Sequence, residues 1–255
     1  MSDAAESRNW LELPPEVTAS ILSRLGAIEI LNSVQKVCSQ WRNIFKDPSM
    51  WRSIDMRNLG NLHDMDYDLE KMCVHAVDRS CGHLLDINIE YFGTDELLLY
   101  ISERSVNLKR LRLFSCYDIS DEGLSEVALK LPCPLLKSFK LNLKQCRSFH
   151  YVSDDEALAI AQTMPELRRL ELLGNGLTNK GLQAILDGCP HLEYLDLRQC
   201  FNVRLVGNLE KRCAECIKTL RRPYDSTHDY EFDAGVHDTG SSDDDTGKQT
   251  IFKGI

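Results

Sequence analysis

Two groups of cysteine and histidine residues are the best candidates for metal ligands in this sequence, because their spacing resembles that of metal ligands. Cys213 and Cys216 are separated by two residues, and Cys200 and His191 lie nearby in the chain. The second group consists of Cys73, His75, Cys81 and His83. A structural zinc site prefers four ligands in tight pairs, and Cys213-x-x-Cys216 has no second pair beside it. Cys73 and Cys81 fit a helix and a repeat boundary, so the sequence favours buried or half-buried structural thiols over metal ligands.

Catalytic motifs are missing from the sequence. It contains no glycine-rich phosphate loop, no Gly-x-Ser-x-Gly elbow and no His-Glu-x-x-His pair. An enzyme with a cysteine nucleophile needs an activated thiolate, whereas the cysteines here fall mainly at the positions of an internal repeat. We therefore expect a protein without catalytic activity, cofactor or metal.

Length and composition are typical of a globular chain. The 255 residues suffice for one large or two modest domains, with 43% hydrophobic and 27% charged residues. No apolar run approaches the ~20 residues that cross a bilayer, and the opening MSDAAESRNW lacks the apolar core of a signal peptide. Ten cysteines without a secretory signal favour reduced thiols. We expect the protein in the nucleus, the cytoplasm or both, with no membrane partner.

Charge is unevenly distributed along the chain. Of the net −9, −6 falls in residues 223–255, where eight acidic side chains face only Lys248 and Lys253. The remaining −3 leaves the rest of the chain close to neutral, so bulk electrostatics gives no reason to expect nucleic-acid binding. We predict a disordered acidic tail over residues 223–255. In it, Ser241 and Ser242 precede three aspartates and resemble a site for an acid-directed kinase, although a solvated tail is the simpler interpretation.

Residues 13–51 carry the strongest helical pattern. Apolar residues recur every three or four positions, which predicts about three short amphipathic helices. Pro14 and Pro15 suit the opening turn, Gly26 separates the first two helices, and Pro48 ends the third. So short a segment buries little surface alone, and it needs a covering partner, either the next domain or another protein.

This helical segment resembles an F-box. The resemblance is carried, in order and without gaps, by Leu13-Pro14, Ile21-Leu22, Val37-Cys38-x-x-Trp41-Arg42 and Pro48-x-x-Trp51. An F-box implies docking onto the Skp-type adaptor of an SCF (Skp–cullin–F-box) ubiquitin ligase, and through it to the cullin and RING subunits. On that resemblance we expect these adaptor contacts: Leu13, Pro14, Pro15, Val17, Ile21, Leu22, Leu25, Ile30, Leu31, Val34 and Val37. Trp41 and Trp51 are expected to join the helices to the rest of the chain. The alternative is an ordinary helical bundle in which these residues are only core.

An internal repeat begins at the end of this segment. The pattern Leu-x-x-Leu-x-Leu recurs at intervals of 24 to 33 residues, with Ile, Phe, Met or Trp at some apolar positions. The copies are Trp51/Ile54/Met56, Leu84/Ile87/Ile89, Leu108/Leu111/Leu113, Leu136/Phe139/Leu141, Leu167/Leu170/Leu172, Leu192/Leu195/Leu197 and the degenerate Ile217/Leu220. One strand and one helix cannot bury their own apolar faces, so we expect the copies to stack around one shared core.

Helices are predicted between the repeated strands. Thr94, Ser120, Ser153 and Thr178 precede helical segments as capping residues, and Ser153 and Glu156 have the spacing of a capping box. The predicted helices cover residues 68–79, 95–104, 121–131, 154–163 and 179–187. The repeats resemble leucine-rich repeats of the cysteine-containing kind, with the segments at 116–124 and 189–200 as the best copies.

The predicted fold class is therefore α/β. It is a short leucine-rich-repeat solenoid, with parallel strands on the concave side and helices on the convex side, preceded by a small all-α F-box. The predicted boundaries are a disordered N-terminus at 1–9, the F-box at 10–51, the solenoid with its C-terminal cap at 52–222 and the disordered tail at 223–255. Val206 and Leu209 are expected in the cap, and the repeat register between residues 142 and 152 stays open.

Side chains between the apolar repeat positions are expected to point to the concave face in three columns. The first column is Asp86, Arg110, Ser138, Arg169 and Tyr194; the central column is Asn88, Arg112, Lys140, Glu171 and Asp196; the third is Glu90, Phe114, Asn142, Leu173 and Arg198. Target contacts are expected from Arg110, Arg112, Phe114, Lys140, Arg169, Glu171, Tyr194 and Asp196. One hypothesis is that the four cations form a basic patch beside Phe114 and Leu173 that recognises an acidic or phosphorylated segment. A mixed, solvated surface is the equally open alternative.

The two resemblances together imply a function. A short F-box/leucine-rich-repeat protein, like those of plants, is the substrate-recognition subunit of an SCF-type E3 ubiquitin-protein ligase and holds a protein target near the charged ubiquitin carrier. Two alternatives remain: a non-ligase leucine-rich-repeat interaction scaffold with the helices as an end cap, and a metal-binding or redox-sensing module.

Overall fold

The fold is described from a computed structural model of the chain. The structure describes residues 12–58, 66–116, 118–120, 122–124, 126, 135–142 and 152–230. Packing divides the chain into two units, Met1–Asp225 and Ser226–Ile255, so the N-terminal helices and the repeats lie in the same unit. In the described ranges, no helix combines the length and the apolar character needed to span a bilayer.

Three short helices open the described part of the chain, as predicted. They are α1 (Pro15–Leu22), α2 (Ala27–Glu29, continuing through a π-helical stretch at Ile30–Val34 into Gln35–Val37) and α3 (Ser39–Ile44), followed by a 3-10 turn at Pro48–Trp51. Pro15 takes the first helical position of α1, where its missing N–H has no partner to lose. Cys38 caps α3, because its sulfur accepts a hydrogen bond from Trp41 N at 3.4 Å.

A buried tryptophan joins these helices to the repeats. Trp51 is only 1% exposed, and its indole Nε1 donates to the carbonyl of Phe45 at 2.9 Å. The guanidinium of Arg79, from the first repeat helix, lies 5.3 Å from the centre of the Trp51 ring and donates to Gln35 Oε1 at 2.8 Å. Trp41 is half-buried and packs against the same core. The expected joining role is therefore confirmed for Trp51, and for Trp41 it stays a prediction.

Seven parallel strands of the described residues form one sheet, in chain order and without crossovers. They are β1 (Ser53–Met56), β2 (Asp86–Glu90), β3 (Arg110–Phe114), β4 (Ser138–Asn142), β5 (Arg169–Leu173), β6 (Tyr194–Asp196) and β7 (Thr219–Arg221). Each strand falls on one copy of the predicted repeat. Inward-facing residues such as Leu111, Leu170 and Leu195 are at most 2% exposed and belong to one continuous core.

The register of the sheet matches the columns predicted from the sequence. Arg110 pairs with Ser138 and Ser138 with Arg169, while Arg112 pairs with Lys140 and Lys140 with Glu171. The third column likewise brings Phe114, Asn142 and Leu173 side by side on neighbouring strands. Because the side chains of parallel strands in this register stack at ~4.8 Å, the residues of one column are direct neighbours.

Helices connect the strands and cover one face of the sheet. They are α4 (Leu69–Arg79), α5 (Asp95–Arg104), α6 (Asp155–Thr163), α7 (Asn179–Gly188) and α8 (Gly207–Cys216). The predicted helices at 68–79, 95–104, 154–163 and 179–187 are thus confirmed to within one residue at either end. Of the helix predicted at 121–131, the described residues 122–124 and 126 are helical.

The predicted caps are only partly correct. Thr94 caps α5 by accepting from Leu97 N at 3.1 Å, and Thr178 caps α7 by accepting from Lys180 N at 3.1 Å. The capping box predicted for Ser153 and Glu156 is wrong, because Glu156 is 2% exposed and its carboxylate accepts a hydrogen bond from Asn175 Nδ2 inside the chain. The Glu156 side chain, which the local spacing predicted at the cap, therefore binds Asn175 of the next coil instead.

The C-terminal end of the sheet continues slightly beyond the predicted boundary at residue 222. Gln199 N donates to the carbonyl of Pro223 at 2.8 Å, which extends the ladder past β7. Leu209 is 7% exposed and packs in the core as expected, whereas Val206 is 67% exposed, so its predicted place in the cap is wrong. Val206 lies immediately before α8. The rest of the predicted tail, from residue 231, lies outside the described residues, as do residues 1–9.

Candidate docking surfaces

Buried thiols occupy the turns of the repeat rather than a metal site. Cys116 Sγ donates to Ile89 O at 3.7 Å and to Phe114 O at 3.4 Å, and Cys200 Sγ donates to Leu172 O at 2.7 Å. Both acceptors, Ile89 and Leu172, belong to the preceding coil, so the thiols link neighbouring coils. Burial raises the pKa of the Cys116 thiol to about 12 and raises that of Cys200 as well.

The two cysteine–histidine groups do not come together as ligands. Cys73 and Cys213 are buried, while Cys81 and Cys216 are exposed. Burial raises the pKa of the Cys73 thiol to about 12, which opposes the thiolate form that metal binding requires. In the part of the chain that the structure describes, no group of three or more histidine, cysteine or acidic residues could hold a metal ion.

An apolar stripe lies exposed along the first helix. Val17, Ile21 and Leu25 are 44%, 39% and 39% exposed, and their spacing of four residues aligns them along α1 and the turn after it. Val37, at the end of α2, is 62% exposed. We call Val17, Ile21 and Leu25 the α1 stripe. The core of the same unit covers the opposite side of α1, at Thr18 and Leu22, so the α1 stripe is an exposed apolar surface of this helix and the turn after it.

The other predicted adaptor contacts divide by burial. Pro14 and Pro15 are exposed beside the α1 stripe, and Leu13 and Leu31 are half-buried. By contrast, the following three residues pack in the chain's own core, at 3%, 5% and 5% exposed respectively: Leu22, Ile30 and Val34. These three position the helices, and a partner has little of their surface to contact.

Two buried carboxylates organise the cations of the concave face. Asp86 pairs with Arg110 Nε at 2.8 Å and with a terminal nitrogen of Arg112 at 2.9 Å. Glu171 pairs with Arg169 Nε at 2.7 Å and with Lys140 Nζ at 3.4 Å. Each carboxylate side chain is at most 10% exposed, while the side chains of Arg110 and Arg169 are 58% and 47% exposed. Each of these buried carboxylates therefore lies between two cations of the concave face.

Much of the predicted target surface is buried. Phe114, Glu171 and Asp196 are 6%, 8% and 1% exposed, and Leu173 is 1% exposed, so Phe114 and Leu173 do not form an open apolar border to the basic patch. Neighbouring columns are two residues, or ~6.6 Å, apart along each strand, so long side chains can lie across them. The Tyr91 ring, for example, packs edge-on against Phe114 with a centroid distance of 6.1 Å. The accessible part of the face is the first column, with Arg110, Ser138, Arg169 and Tyr194.

Further cations extend this accessible column. Lys109, Lys137 and Arg168 immediately precede β3, β4 and β5, and the amide of each donates to the preceding coil at 2.8 to 2.9 Å. All three side chains are exposed. We call Lys109, Arg110, Lys137, Arg168 and Arg169 the cationic rim. The sequence could have predicted these additional cations, because the first variable position of Leu-x-x-Leu is Lys or Arg in all three copies.

Comparison with known proteins identifies the family. A model described as F-box-like matches residues 10–57, and a model described as Leucine Rich repeat matches residues 104–128 and 164–186. F-box protein SKIP19 of Arabidopsis thaliana is 54% identical, over 95% of this chain and 84% of the relative. The chain belongs to the F-box/leucine-rich-repeat family. F-box/LRR-repeat protein 22 and F-box protein SKIP1 of the same organism are 46% and 27% identical, and cover 98% and 86% of this chain and 88% of each relative.

The family boundaries fit the fold of this F-box/leucine-rich-repeat protein. The F-box match takes in α1 to α3, the Trp51 turn and all of β1, and ends six residues after the predicted boundary at residue 51. The F-box segment thus includes the first strand of the repeat sheet, which explains why its helices share the repeat core.

Proposed function

We propose that this F-box/leucine-rich-repeat protein is the substrate-recognition subunit of an SCF-type ubiquitin ligase, and that it has no catalytic role of its own. The α1 stripe carries the proposal, because it leaves Val17, Ile21 and Leu25 about two-fifths exposed on an F-box helix whose other side is buried. Apolar area of this kind fits a Skp-type adaptor, which an F-box is expected to bind. The cullin and RING subunits would follow through that adaptor.

The role of the chain in ubiquitin transfer would be to hold the target close to the charged ubiquitin carrier. The F-box would fix the chain to the ligase, and the repeat sheet would hold a protein target, so that the local concentration of target near the charged ubiquitin carrier rises. The shared core between F-box and repeats supports this role, since a rigid connection keeps the held target at a defined distance. No step of the transfer chemistry would use a side chain of this protein.

Co-purification with the adaptor tests the proposal. Val17→Glu with Ile21→Glu places two charges on the α1 stripe, and we expect recovery of Skp-type adaptor and cullin to fall at least about tenfold. The matched control is Leu158→Glu, because Leu158 is also an exposed apolar residue, at 42%, but lies on α6 in the repeats. Both proteins should unfold at the wild-type temperature, since neither change enters the core.

Two results would contradict the proposal. Undiminished recovery of the adaptor from the double variant would remove the α1 stripe as the docking surface. Recovery of a protein target without any adaptor or cullin, from the wild-type chain, would favour the non-ligase scaffold instead.

A further inference from the structure

One pair of cysteines belongs neither to the repeat turns nor to the surfaces of the proposed function. Cys213 and Cys216 are separated by two residues, whereas any other two successive cysteines of the chain are at least eight positions apart. Both lie in the last turn of α8, which ends at Cys216. Both are free thiols, the first buried and the second exposed. The pair therefore combines a thiol that solvent reaches with a second thiol one helical turn away.

A small movement of this helix end brings the two sulfur atoms within bonding distance. Residues three positions apart in a helix have Cβ atoms about 5 to 6 Å apart, and a disulfide needs about 3.5 to 4.5 Å. Ala214, Glu215 and Cys216 are exposed, and Ile217 follows in an extended conformation, with φ −106° and ψ 119°. Because the helix ends here at the surface, the turn can tighten from the Cys216 side without moving the core.

The different surroundings of the two thiols give them different roles in an oxidation. Cys213 is 0% exposed, and burial raises the pKa of its thiol, which the neighbouring Cys216 raises further. Arg212 and Arg222 act in the opposite direction but do not outweigh burial. A buried thiol that keeps its proton reacts slowly with an oxidant in water, so the exposed Cys216 reacts first. Cys213 is then in place to displace the oxidised group from the Cys216 sulfur.

The same helical turn is attached to the start of the last strand. Ile217 is 6% exposed, and its amide donates to the carbonyl of Cys213 at 2.9 Å. The amide of Thr219, the first residue of β7, donates to the carbonyl of Glu193 at 3.1 Å, and Lys218 Nζ pairs with the Glu193 carboxylate at 2.9 Å. A turn that tightens at Cys216 displaces Ile217 directly, because the two residues are adjacent. Oxidation of the pair should therefore weaken the attachment of β7 to the sheet.

We propose that Cys213 and Cys216 form a reversible disulfide, and that this disulfide weakens the attachment of β7 at the C-terminal end of the sheet. The oxidant is a peroxide. The Cys216 thiol reacts with hydrogen peroxide to give a sulfenic acid and one water, and the Cys213 sulfur then attacks the Cys216 sulfur and releases a second water. The two thiols lose two hydrogens and two electrons, which reduce the peroxide to water.

The disulfide is reversible by a dithiol reductant. Thiol–disulfide exchange returns both cysteines to thiols, while the reductant becomes a disulfide itself. A transient bond of this kind suits a chain expected among reduced thiols, where lasting disulfides are rare. The inference is independent of the proposed function, because it involves neither an adaptor nor a target.

Tryptic mapping of the full-length chain tests the inference. Cleavage after Arg212 and Lys218 releases residues 213–218, which contain both thiols and no other cysteine. The reduced chain is treated with hydrogen peroxide, the peroxide is removed with catalase, and free thiols are alkylated in denaturant before digestion. We expect the 213–218 peptide to lose both alkyl labels and to weigh two hydrogens less than its unlabelled dithiol form. Treatment with dithiothreitol before alkylation should restore both labels.

Cys81 is the matched control, because it is also exposed but has no second cysteine within one helical turn. Its tryptic peptide, residues 80–104, contains no other cysteine, and peroxide should add oxygen to it rather than remove hydrogen. Cys213→Ala should leave Cys216 to collect oxygen as a sulfinic acid, which dithiothreitol does not reverse. Cys216→Ala should leave Cys213 reduced and fully labelled at the same peroxide dose.

Amide hydrogen exchange measures the effect on β7. Segment 217–221 should exchange about fivefold faster in the oxidised chain, the factor that corresponds to the loss of one backbone hydrogen bond. Segment 169–173, which is β5, should exchange at the same rate before and after oxidation. Peroxide-treated Cys216→Ala should exchange in segment 217–221 at the rate of the untreated variant.

Three outcomes would overturn the inference. The first is a 213–218 peptide that stays fully labelled at a peroxide dose that oxidises Cys81. The second is a sulfinic acid at Cys216 of the wild-type chain without any disulfide to Cys213. The third is a disulfide that forms while the exchange of segment 217–221 stays unchanged.

Discussion

Sulfur replaces oxygen in the buried hydrogen bonds of the repeat turns. Cys116 and Cys200 each follow a residue with positive φ, Ser115 at 48° and Gln199 at 64°, whose amide donates to the next coil. The left-handed residue turns the chain after the strand, and the thiol then reaches back to the carbonyl of the coil before. Burying a thiol costs less free energy than burying a hydroxyl or an amide, because the thiol forms only weak hydrogen bonds with water. The repeated cysteines are thus explained by packing.

The buried thiols predict a loss of stability at alkaline pH. Burial raises the pKa of Cys73 and Cys116 from an ordinary value of 9.0 to about 12, so between these values the folded chain keeps protons that the unfolded chain releases. Their contribution is full below pH 9 and is lost as pH rises toward 12. The free energy of unfolding should fall by about 1.4 kcal/mol per pH unit for each thiol.

Urea unfolding at about pH 8, 9.5 and 11 measures this slope. Cys116→Ala should make the slope shallower by the share of one thiol, because only one buried titrating group is removed. Cys216→Ala removes an exposed thiol and should leave the slope as it is in the wild type. Equal slopes for Cys116→Ala and the wild type would show that the thiol is not buried as described.

Neighbouring repeat helices are connected through their N-termini. Asp154 precedes α6, yet its carboxylate accepts from Thr178 N at 2.7 Å, from Thr178 Oγ1 at 2.7 Å and from Gly181 N at 3.1 Å, all in the next coil. Asp95 acts in the same way on Ser120, through its amide at 2.9 Å and its hydroxyl at 2.6 Å. Asp154 thus reaches a helical amide of the following repeat, that of Gly181, whereas Asp95 fixes Ser120, whose hydroxyl accepts from the amide of Gly123.

A glycine makes room for this contact. A Cβ on Gly181 would lie 2.4 Å from Asp154 Oδ1, closer than any real Cβ contact, and one on Gly123 would meet the Asp95 carboxylate at 1.9 to 2.3 Å. The motifs Ser120-Asp-Glu-Gly-Leu and Thr178-Asn-Lys-Gly-Leu therefore have a physical reason for their glycine. In both motifs the glycine leaves room for a carboxylate of the preceding coil.

Removing the shared cap should weaken the repeat stack. Asp154→Ala deletes three hydrogen bonds to a charged group at a helix N-terminus, and we expect the free energy of unfolding to fall by about 2 kcal/mol. Asp187→Ala is the control, since Asp187 is 68% exposed and forms only a surface ion pair with Arg212, for which about 0.5 kcal/mol is expected. Chemical denaturation of both variants gives the comparison, and similar losses for the two would exclude a special role for Asp154.

The strand register was predictable because it depends on a short local pattern. Leu111, Leu170 and Leu195 repeat at fixed positions of Leu-x-x-Leu-x-Leu, and stacking then leaves one alignment of the coils. Burial on the concave face was not predictable in this way. Whether Phe114 or Asp196 reaches solvent depends on side chains from neighbouring columns, which the alternation along one strand does not record.

In the F-box helices, too, the pattern was predictable from the sequence and the burial of single side chains was not. Spacing predicted the apolar face of the F-box helices, but the structure was needed to separate the exposed Val17 and Ile21 from the buried Leu22 and Ile30. The two faces of a short helix carry similar residues when one binds the chain's own core and the other is left for a partner. Only the packing of the following repeats decides which is which.

At the scale of the whole molecule, the F-box and the repeats share one hydrophobic core. Trp51 and Phe45 are at most 1% exposed, and they belong to the same core as Ile54 of β1 and Val77 of α4. Arg79 reinforces the junction from the repeat side, through Gln35 and the Trp51 ring. A target held by the sheet would therefore keep a fixed orientation to anything bound at the α1 stripe.

A shared core predicts a single unfolding transition. In a chain with Trp10→Phe and Trp41→Phe, Trp51 is the remaining tryptophan and reports on the junction. Its fluorescence and the far-ultraviolet circular dichroism of the whole chain should give the same thermal midpoint, because neither part keeps its core without the other. Arg79→Met removes the bond to Gln35 and the charge over the Trp51 ring, and it should lower both midpoints together. A fluorescence midpoint clearly below that of circular dichroism would mean that the F-box unfolds on its own, and it would remove the rigid connection on which a proximity mechanism depends.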